Sequence, residues 1–330
     1  MTKLGYQIPN FTYPDGDRES LFGTVVAQAQ AADRSGFDTV LLMDHFYQLP
    51  MLGRPEDYML ECYTSLGALA RETSNVRLGA LVTGNTYRNP TLLAKIITTL
   101  DIVSGGRAQL GIGAGWFELE HDALGFEFKT FTDRFQKLEE ALQIIIPMLK
   151  GERPTFHGKH YAVRDAINEP QPIGPIPVMI GGSGEKKTLR IVAQYADESN
   201  LTSPHDELEH KLEVLAGHCE KVGRDRSEIT VSQHLNGCIA PTHDQAYDEL
   251  KTFLAARGID LESMDDNMKA FILGRLVWGD PDEVGEQLSN VLAKGADGIT
   301  ISLPGQAHEP ERVELIGNVA SKVVGTESAV

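Results

Sequence analysis

Apolar and polar positions along the chain follow two alternating patterns. Short, nearly continuous apolar runs are typical of parallel strands that are covered on both faces. Between them lie longer segments in which apolar residues recur every three or four positions, as they do on one face of a helix. Strands are predicted at residues 4–8, 39–43, 76–82, 108–112, 178–180, 198–201, 229–234 and 298–303.

Helical segments follow the predicted strands. Strands that alternate with helices in this way predict an α/β fold, a single closed (β/α)8 TIM barrel. Pro90 and Pro281 suit the first turn of a helix, where the missing N–H costs nothing. Helices are predicted at residues 20–34, 61–72, 90–103, 132–149, 185–194, 206–222, 243–257, 281–294 and 309–323, with a less regular helical piece at 261–278.

One segment breaks the alternation. Residues 150–175, after the fourth helix, are rich in Gly, Pro and His and are predicted to form an insertion that contains the strand-like HYAV. The alternation then resumes and continues to residue 323. One domain is therefore predicted over residues 1–324, followed by a disordered tail over residues 325–330.

Composition narrows the functional classes. The chain has 330 residues, of which 41% are hydrophobic, and 47 acidic against 30 basic residues give it a net charge of −17. Since a nucleic-acid surface needs clustered Lys and Arg, no nucleic-acid partner is expected. No apolar stretch approaches the length of about 20 residues that spans a membrane, and the N-terminus lacks a signal-peptide pattern. We therefore expect a cytoplasmic protein that acts on a small molecule and has no membrane partner.

The cysteines and histidines do not suggest a metal site. Cys62, Cys219 and Cys238 are far apart in the sequence, so they are predicted to be buried, reduced thiols. His157 and His160 lack a further pair at ligand spacing. We predict no bound metal.

Two candidate catalytic residues follow the second predicted strand. The run TVLLM, residues 39–43, leads directly into Asp44 and His45. Because the carboxyl ends of the strands form the active-site face of a TIM barrel, both side chains are predicted at the barrel mouth. His45 could merely cap the strand, or Asp44 could orient its imidazole for proton transfer.

A first glycine-rich stretch follows the fourth predicted strand. In LGIGAGWFELE, residues 110–120, Gly111, Gly113 and Gly115 alternate with larger residues. They would let the backbone approach an anion or a flat ring, or they would only relieve crowding at the barrel rim. The stretch is not the dinucleotide fingerprint, because Trp116 stands where the last glycine is required.

A second glycine-rich stretch, GGSG at residues 181–184, precedes a predicted helix whose first turn holds Lys186 and Lys187. A helix N-terminus with free N–H groups suits a phosphate, although a plain glycine turn has the same sequence. It is not a Walker A loop, since Lys186 replaces the glycine before Lys187. Arg88, which precedes Asn89 and Pro90, is interpreted only as part of a helix start.

Taken together, these stretches resemble the bacterial luciferase-like monooxygenase superfamily, in particular its branch that uses the deazaflavin coenzyme F420. The resemblance implies a (β/α)8 barrel with an insertion after the fourth helix. It also implies an F420-dependent oxidoreductase that transfers hydride between the coenzyme and a small organic substrate, and a homodimer with helices 61–72 and 90–103 at its interface. The matching pieces are MDHF (43–46), TYRNPTLLAK (86–95), TLDIVSGGRAQLGIGAGWFELEH (99–121), RFQKLEEAL (134–142), IGGSGEKKTLRIVAQYADESN (180–200) and GADGITISLP near the end.

The resemblance also implies roles for individual residues. His45 would donate or accept a proton, and Asp44 would hold His45 or the cofactor ring. The bond between Leu81 and Val82 matches a position that is often a non-prolyl cis peptide in this branch. Further cofactor contacts are implied for Leu81, Val82 and Thr83 behind the ring, for Ala114, Gly115 and Trp116 along its edge, and for Gly181, Gly182 and Ser183 at the phosphate tail.

One departure from the family pattern concerns the substrate. In the sugar-phosphate dehydrogenases of this branch a glutamate transfers a proton at the place of Trp116, and Glu118 and Glu120 are out of register with it. A glucose-6-phosphate dehydrogenase is therefore not expected. Two alternatives share the fold: an FMN-dependent two-component monooxygenase and a non-catalytic flavin-binding relative.

Overall fold

Parallel strands form a barrel at the centre of the computed structural model, which describes residues 3–14 and 16–325. The strands, in chain order, are β1 (Leu4–Ile8), β2 (Thr39–Leu42), β3 (Arg77–Ala80), β4 (Thr83–Gly84), β5 (Leu110–Gly113), β6 (Phe156–His157), β7 (Ala162–Val163), β8 (Val178–Gly181), β9 (Glu198–Leu201), β10 (Thr230–Ile239), β11 (Val277–Gly279) and β12 (Gly298–Ser302).

Helices surround this barrel and cover its outer face. They are α1 (Leu21–Arg34), α2 (Cys62–Glu72), α3 (Pro90–Ser104), α4 (Glu118–Leu124), α5 (Phe131–Leu149), α6 (Thr188–Tyr195), α7 (Leu208–Val222), α8 (His243–Ala255), α9 (Asp266–Leu273), α10 (Pro281–Ala293) and α11 (Pro310–Val324).

The strand order closes the barrel. Neighbouring strands run β3, β2, β1, β12, β10, β9, β8, β5 and β4. β3 and β4 form one barrel strand that is interrupted at residues 81–82: Leu78 of β3 bridges Ala108 just before β5, and Thr83 of β4 pairs with Ile112 of β5. The predicted (β/α)8 barrel is thereby confirmed.

Local sequence explains where the elements begin and why the strands are apolar. All four residues of β2 are buried, as expected for a parallel strand with the barrel interior on one face and helices on the other. α3 begins with Pro90, and the Asn89 side chain accepts a hydrogen bond from the Thr91 amide at 2.9 Å. α10 begins with Pro281 behind a capping box formed by Asp280 and Glu283. These caps satisfy backbone donors at helix starts.

Three segments differ from the prediction. The irregular helix predicted at 261–278 is the short helix α9 followed by β11, which extends the sheet through pairing of Gly237 with Val277. α4 was not predicted because it is short and carries little apolar periodicity. α6 begins at Thr188 and not at residue 185, because residues up to 187 belong to the glycine-rich turn.

The predicted insertion at 150–175 contains the small antiparallel pair β6–β7. The single domain over residues 1–324 remains a prediction. Gly325, in the left-handed conformation with φ 71°, ends α11, and residues 326–330 of the predicted tail lie outside the described residues. Within the described ranges, none of the helices combines the length and apolar character needed to cross a membrane.

Candidate active site

A cavity of about 450 Å³ opens at the carboxyl ends of the barrel strands. The loops after β1, β2, β3, β5, β8 and β9 contribute to its wall, together with β10. Its lining residues are Gln7, Pro9, Met43, Asp44, His45, Leu49, Met51, Leu52, Leu81, Val82, Thr83, Gly84, Tyr87, Gly115, Trp116, Gly181, Gly182, Thr202, His234 and Asn236. The mouth cavity thus contains most of the residues singled out in the sequence, while Ala114 and Ser183 lie beside lining residues and not on the wall.

Asp44 forms a buried ion pair with Arg88. The Arg88 guanidinium donates to both Asp44 oxygens, at 2.6 Å and 2.9 Å, and the Gly84 amide donates to Asp44 Oδ2 at 3.1 Å. Arg88 also donates to Glu61 at 2.7 Å and lies over the Tyr63 ring. This bidentate geometry is the strong form of a carboxylate–guanidinium pair.

The ion pair corrects two expectations from the sequence. Asp44 was expected to hold His45 or the cofactor ring, and its contacts are with Arg88 and Gly84 and not with His45. Burial raises the pKa of the Asp44 carboxyl, and Arg88 opposes that rise. Burial likewise lowers the pKa of Arg88, but Asp44 raises it by more, so its pKa lies above the usual value. Arg88, which the sequence indicated only as part of a helix start, neutralises the acid at the floor of the site.

Glu120 is the acid that contacts His45. His45 Nδ1 lies 2.9 Å from Glu120 Oε2. The other Glu120 oxygen accepts hydrogen bonds from the amides of Phe46 and Tyr47, the latter at 2.8 Å, and Tyr87 donates its hydroxyl to Oε2. The Glu120 side chain is fully buried, and that of His45 is 14% exposed.

These contacts shift the pKa values of Glu120 and Tyr87. Burial alone would raise the pKa of Glu120, but the hydrogen bonds from His45, Tyr87 and Tyr47 lower it below the usual value. Burial and the Glu120 carboxylate raise the pKa of Tyr87, so its hydroxyl stays protonated. Because an ionised carboxylate only accepts hydrogen bonds, Nδ1 of His45 carries the hydrogen. In the neutral imidazole, Nε2 is then the unprotonated nitrogen, and it is the atom left for a substrate.

The short helix α4 carries Glu120 into this position. Phe117 precedes α4, and the Phe117 carbonyl oxygen lies 2.8 Å from His121 Nδ1, while His121 Nε2 contacts Thr86 Oγ1 at 2.7 Å. Both Glu120 and His121 are fully buried. Sequence reasoning set Glu120 aside because it is out of register with the family glutamate. The sequence signal nearest to it is an acid inside the aromatic-rich tract GWFELEH, which does not show its contact with His45.

Aromatic rings and apolar side chains surround the imidazole. His45 makes edge contacts with Trp116 and Phe117, each with ring centroids 5.8 Å apart. Trp116 is 60% exposed although it lines the cavity. Trp116 therefore lies at the barrel mouth beside His45.

The interruption between β3 and β4 forms part of the cavity floor. The peptide bond between Leu81 and Val82 is cis, as the resemblance implied. Val82 fills the space in front of two glycines: a Cβ at Gly113 would lie 2.8 Å, and one at Gly181 2.7 Å, from its methyl carbons. Thr83 is buried beside this floor, and its hydroxyl contacts the Tyr63 hydroxyl. Glycine is therefore required at both positions if Val82 keeps its place.

The glycine-rich turn after β8 forms another part of the wall. Gly182 has φ 113°, a conformation that strongly favours glycine. Ser183 Oγ accepts hydrogen bonds from the amides of Thr202 and Ser203 at 2.9 Å each, which ties the turn to the end of β9. Among the described residues, the amides of Ser183 and Gly184 donate to no acceptor. The turn therefore has the donors that a phosphate requires.

Sequence reasoning did not identify His234, Asn236 and Gln7, which also line the cavity. Burial lowers the pKa of His234 to about 4, and no described residue pairs with its Nδ1. Gln7 donates to the Leu81 carbonyl at 3.1 Å and accepts from the Ser302 hydroxyl at 2.8 Å. Since these residues lie inside strands, only the closed barrel brings them to the site.

The cysteines lie in the protein interior, as the sequence predicted. Cys62, Cys219 and Cys238 are buried and free. In residues 3–14 and 16–325, no group of three or more His, Cys, Asp or Glu side chains is placed to hold a metal ion.

Comparison with known proteins identifies the family of this chain. Residues 2–298 match the sequence profile described as "Luciferase-like monooxygenase". The chain belongs to the luciferase-like monooxygenase family. A relative from Microbacterium testaceum named F420-dependent glucose-6-phosphate dehydrogenase is 31% identical over 295 residues, which are 84% of this chain and 86% of that protein. The family membership implied by the sequence motifs is thereby confirmed.

Two solved structures share the fold. The F420-dependent tetrahydromethanopterin reductase of Methanopyrus kandleri has a TM-score of 0.76 and 21% identity, with 99% of each chain covered. A monooxygenase from Streptomyces bottropensis has a TM-score of 0.79 and 18% identity, covering 96% of this chain and 97% of that one. At these identities the structural likeness establishes the luciferase-like barrel and not the reaction.

Proposed function

We propose that this luciferase-like protein is an F420-dependent oxidoreductase that transfers hydride between the deazaflavin coenzyme and a small organic substrate. The observation that carries the proposal is the His45–Glu120 pair at the wall of the mouth cavity, 2.9 Å apart. It provides a proton-transfer group beside a space for a ring and a substrate. The names of relatives such as the Microbacterium testaceum protein support the deazaflavin coenzyme.

The residues present suit the coenzyme. The turn at Gly181 and Gly182, with the free amides of Ser183 and Gly184, would hold the phosphate. Close packing of Val82 against Gly113 leaves a smooth floor on which a flat ring could rest. The other predicted contacts, Asp44, Leu81, Thr83, Ala114, Gly115 and Trp116, surround the same space or border it.

The chain's own residues would handle the proton. When bound, the coenzyme supplies the site that accepts or donates hydride. Nε2 of His45 would take the hydroxyl proton of an alcohol during oxidation, or give a proton to a carbonyl oxygen during reduction. Glu120, ionised and buried, would stabilise the imidazolium and fix the ring orientation. Asp44, neutralised by Arg88, would position the coenzyme and transfer no proton.

The glucose-6-phosphate activity named for the relatives is not part of the proposal. Trp116 stands where the resemblance places a proton-transferring glutamate, and Glu120 is hydrogen-bonded to His45 and two backbone amides. Any proton that the substrate exchanges would therefore pass through His45.

The protein is further proposed to be a cytoplasmic homodimer. α3 presents the apolar side chains of Leu92 and Ile102 to solvent, 53% and 39% exposed. α2 packs beside α3, so the two helices could form one apolar interface with a second copy. A dimer should appear in light scattering at micromolar concentration, and a strict monomer would contradict this part of the proposal.

A paired titration tests the cofactor. The purified protein would be titrated separately with coenzyme F420 and with FMN, and binding would be followed by fluorescence quenching of the ligand. We expect F420 to bind in the micromolar range or tighter and FMN at least tenfold more weakly. Tighter binding of FMN, with oxygen-dependent turnover, would favour the monooxygenase alternative. Binding of F420 with no turnover of any substrate would favour the non-catalytic alternative.

A further inference from the structure

The wall of the mouth cavity is dominated by apolar side chains. They come from the loops after β1, β2, β3 and β5, so the apolar character extends across the barrel mouth. Resting on the proposed function, we propose that the substrate is a neutral, largely apolar alcohol or carbonyl compound and not a sugar phosphate. The apolar lining residues are Pro9, Met43, Leu49, Met51, Leu52, Leu81, Val82 and Trp116.

The charges at the wall favour a neutral substrate. Among the described lining residues, the ionisable groups are the Asp44 carboxylate, the imidazoles of His45 and His234 and the Tyr87 hydroxyl. No lysine or arginine lies among them. Arg88 lies behind this wall and uses its guanidinium on Asp44 and Glu61. Because Arg88 is already paired with Asp44, no described cation at this wall is left to replace the water that a phosphate monoester would lose, which is costly in a partly buried site.

The arginines of the adjoining cavity are engaged elsewhere. That cavity shares Leu52 with the mouth cavity and is lined by Arg54 and Arg257. Arg257 donates to the carbonyl oxygens of Leu52, at 2.6 Å, and Phe253, at 2.8 Å. Arg54 is hydrogen-bonded to Asp57 at 3.2 Å and is exposed to solvent. Their contacts hold the loop after β2 in place and do not direct a cation into the mouth cavity.

Two exposed apolar side chains at the mouth are suited to cover such a substrate. Met51 is 79% and Trp116 60% exposed, yet both line the cavity. Burying them under an apolar ligand removes apolar surface from water, which stabilises the complex. Trp116 also makes an edge contact with the His45 ring. An apolar body packed on Trp116 would therefore keep its one polar group within reach of the imidazole.

The chemistry needs only one polar group on the substrate. In the oxidising direction, the carbinol carbon gives its hydrogen as hydride to the coenzyme and the hydroxyl gives its proton to His45. A carbon–oxygen double bond then forms. In the reducing direction the same hydride and proton are returned to the carbonyl carbon and oxygen.

A comparison of substrates tests the proposal. Cyclohexanol, glucose and glucose 6-phosphate would be assayed with oxidised F420, and cyclohexanone with the reduced coenzyme. We expect kcat/KM for the cyclic alcohol and ketone to exceed that for glucose 6-phosphate by at least about 100-fold. Preference for glucose 6-phosphate would overturn the proposal.

Binding gives a second readout that does not depend on turnover. The chain has two tryptophans, Trp116 and Trp278, so in the variant Trp278→Phe the emission reports Trp116 alone. Cyclohexanone should change that emission saturably, in the F420-loaded protein, and glucose 6-phosphate should not. A protein that binds F420 but shows no saturable response to cyclohexanone would overturn the substrate class. A protein that fails to bind F420 would instead overturn the proposed function.

Variants of Met51 provide the structural control. Met51→Ser should weaken cyclohexanone binding by about tenfold while F420 affinity stays unchanged, and Met51→Leu should keep both near the native values. Met268 is also exposed, at 49%, but does not line the cavity. Met268→Ser should therefore leave cyclohexanone binding unchanged. An equal loss in Met51→Ser and Met268→Ser would contradict a role for Met51 at the mouth.

Discussion

Glu120 Oε2 lies 2.9 Å from Nδ1 of His45, although 75 positions separate the two residues in the chain. The pair joins the end of the second barrel strand to the short helix α4. It gives the imidazole an ionised, fully buried partner and leaves Nε2 for the cavity. The role first expected of Asp44 therefore belongs to Glu120.

Replacing Glu120 tests whether it positions His45. Glu120→Gln keeps the shape but removes the charge that stabilises an imidazolium. We expect kcat to fall by about 10- to 100-fold, with KM and the melting temperature nearly unchanged. A purely structural role would instead lower the melting temperature and leave kcat per folded molecule near the native value. Glu118→Gln, on the same helix, is the matched control and should behave like the native protein.

Replacing Arg88 tests the buried ion pair at the floor. The side chains of Arg88 and Asp44 are 10% and 1% exposed. Arg88→Met leaves the Asp44 carboxylate buried without its partner, so unfolding free energy should fall by about 3–5 kcal/mol in denaturant titrations. In Asp44→Asn/Arg88→Met neither position carries a charge, and part of the loss should be recovered. Strictly additive losses in the double variant would argue against a coupled pair.

The pKa of His234 predicts a pH dependence of stability. Burial lowers this pKa from its ordinary value of 6.5 to about 4, so the unfolded chain binds the proton more readily than the folded one between these values. Stability from this residue is therefore complete above pH 6.5 and is lost progressively as the pH falls towards 4, by at most about 3 kcal/mol. Denaturant titrations of the native protein and His234→Asn at pH 7 and pH 5 measure it. The variant should lose less stability on acidification; equal losses would contradict the account.

A change at Gly182 tests the phosphate turn. Gly182 has φ 113°, which side chains rarely adopt. Gly182→Val should reduce F420 affinity by more than tenfold, as measured by fluorescence titration, while circular dichroism shows an intact fold. Gly217, in α7, has no heavy atom within 4 Å of an added Cβ, so Gly217→Ala should bind F420 normally. Unchanged affinity in Gly182→Val would place the phosphate elsewhere on the protein.

The architecture was predictable because several barrel strands are continuous apolar runs that alternate with helical patterns. Residues 39–43, for example, show the continuous run of a strand covered on both faces, and β2 occupies Thr39–Leu42. β11 was missed because a strand of three residues carries too little periodicity to separate it from the end of α9. α4 was missed for the same reason.

Local sequence indicated some residues of the site but not their ion-pair and hydrogen-bond partners. Asp44, His45 and Gly182 could be placed at the mouth because the strand end identifies that face. The partners of Asp44 and His45 could not be predicted. Arg88 and Glu120 lie in other segments of the chain, and only the closed barrel sets their distances from Asp44 and His45. His234 was missed because its side-chain direction depends on the register of β10.

Turnover by His45→Ala, compared with its coenzyme affinity and melting temperature, tests the account most directly. We expect F420 affinity within a few-fold of the native value and a melting temperature close to it, because Glu120 keeps its hydrogen bonds from Tyr87 and from two backbone amides. Turnover should fall by about 10²–10⁴-fold, the range for a lost general acid or base, and the pH–rate profile should lose one limb. Near-native turnover with a depressed melting temperature would contradict the account and return His45 to the role of a strand cap.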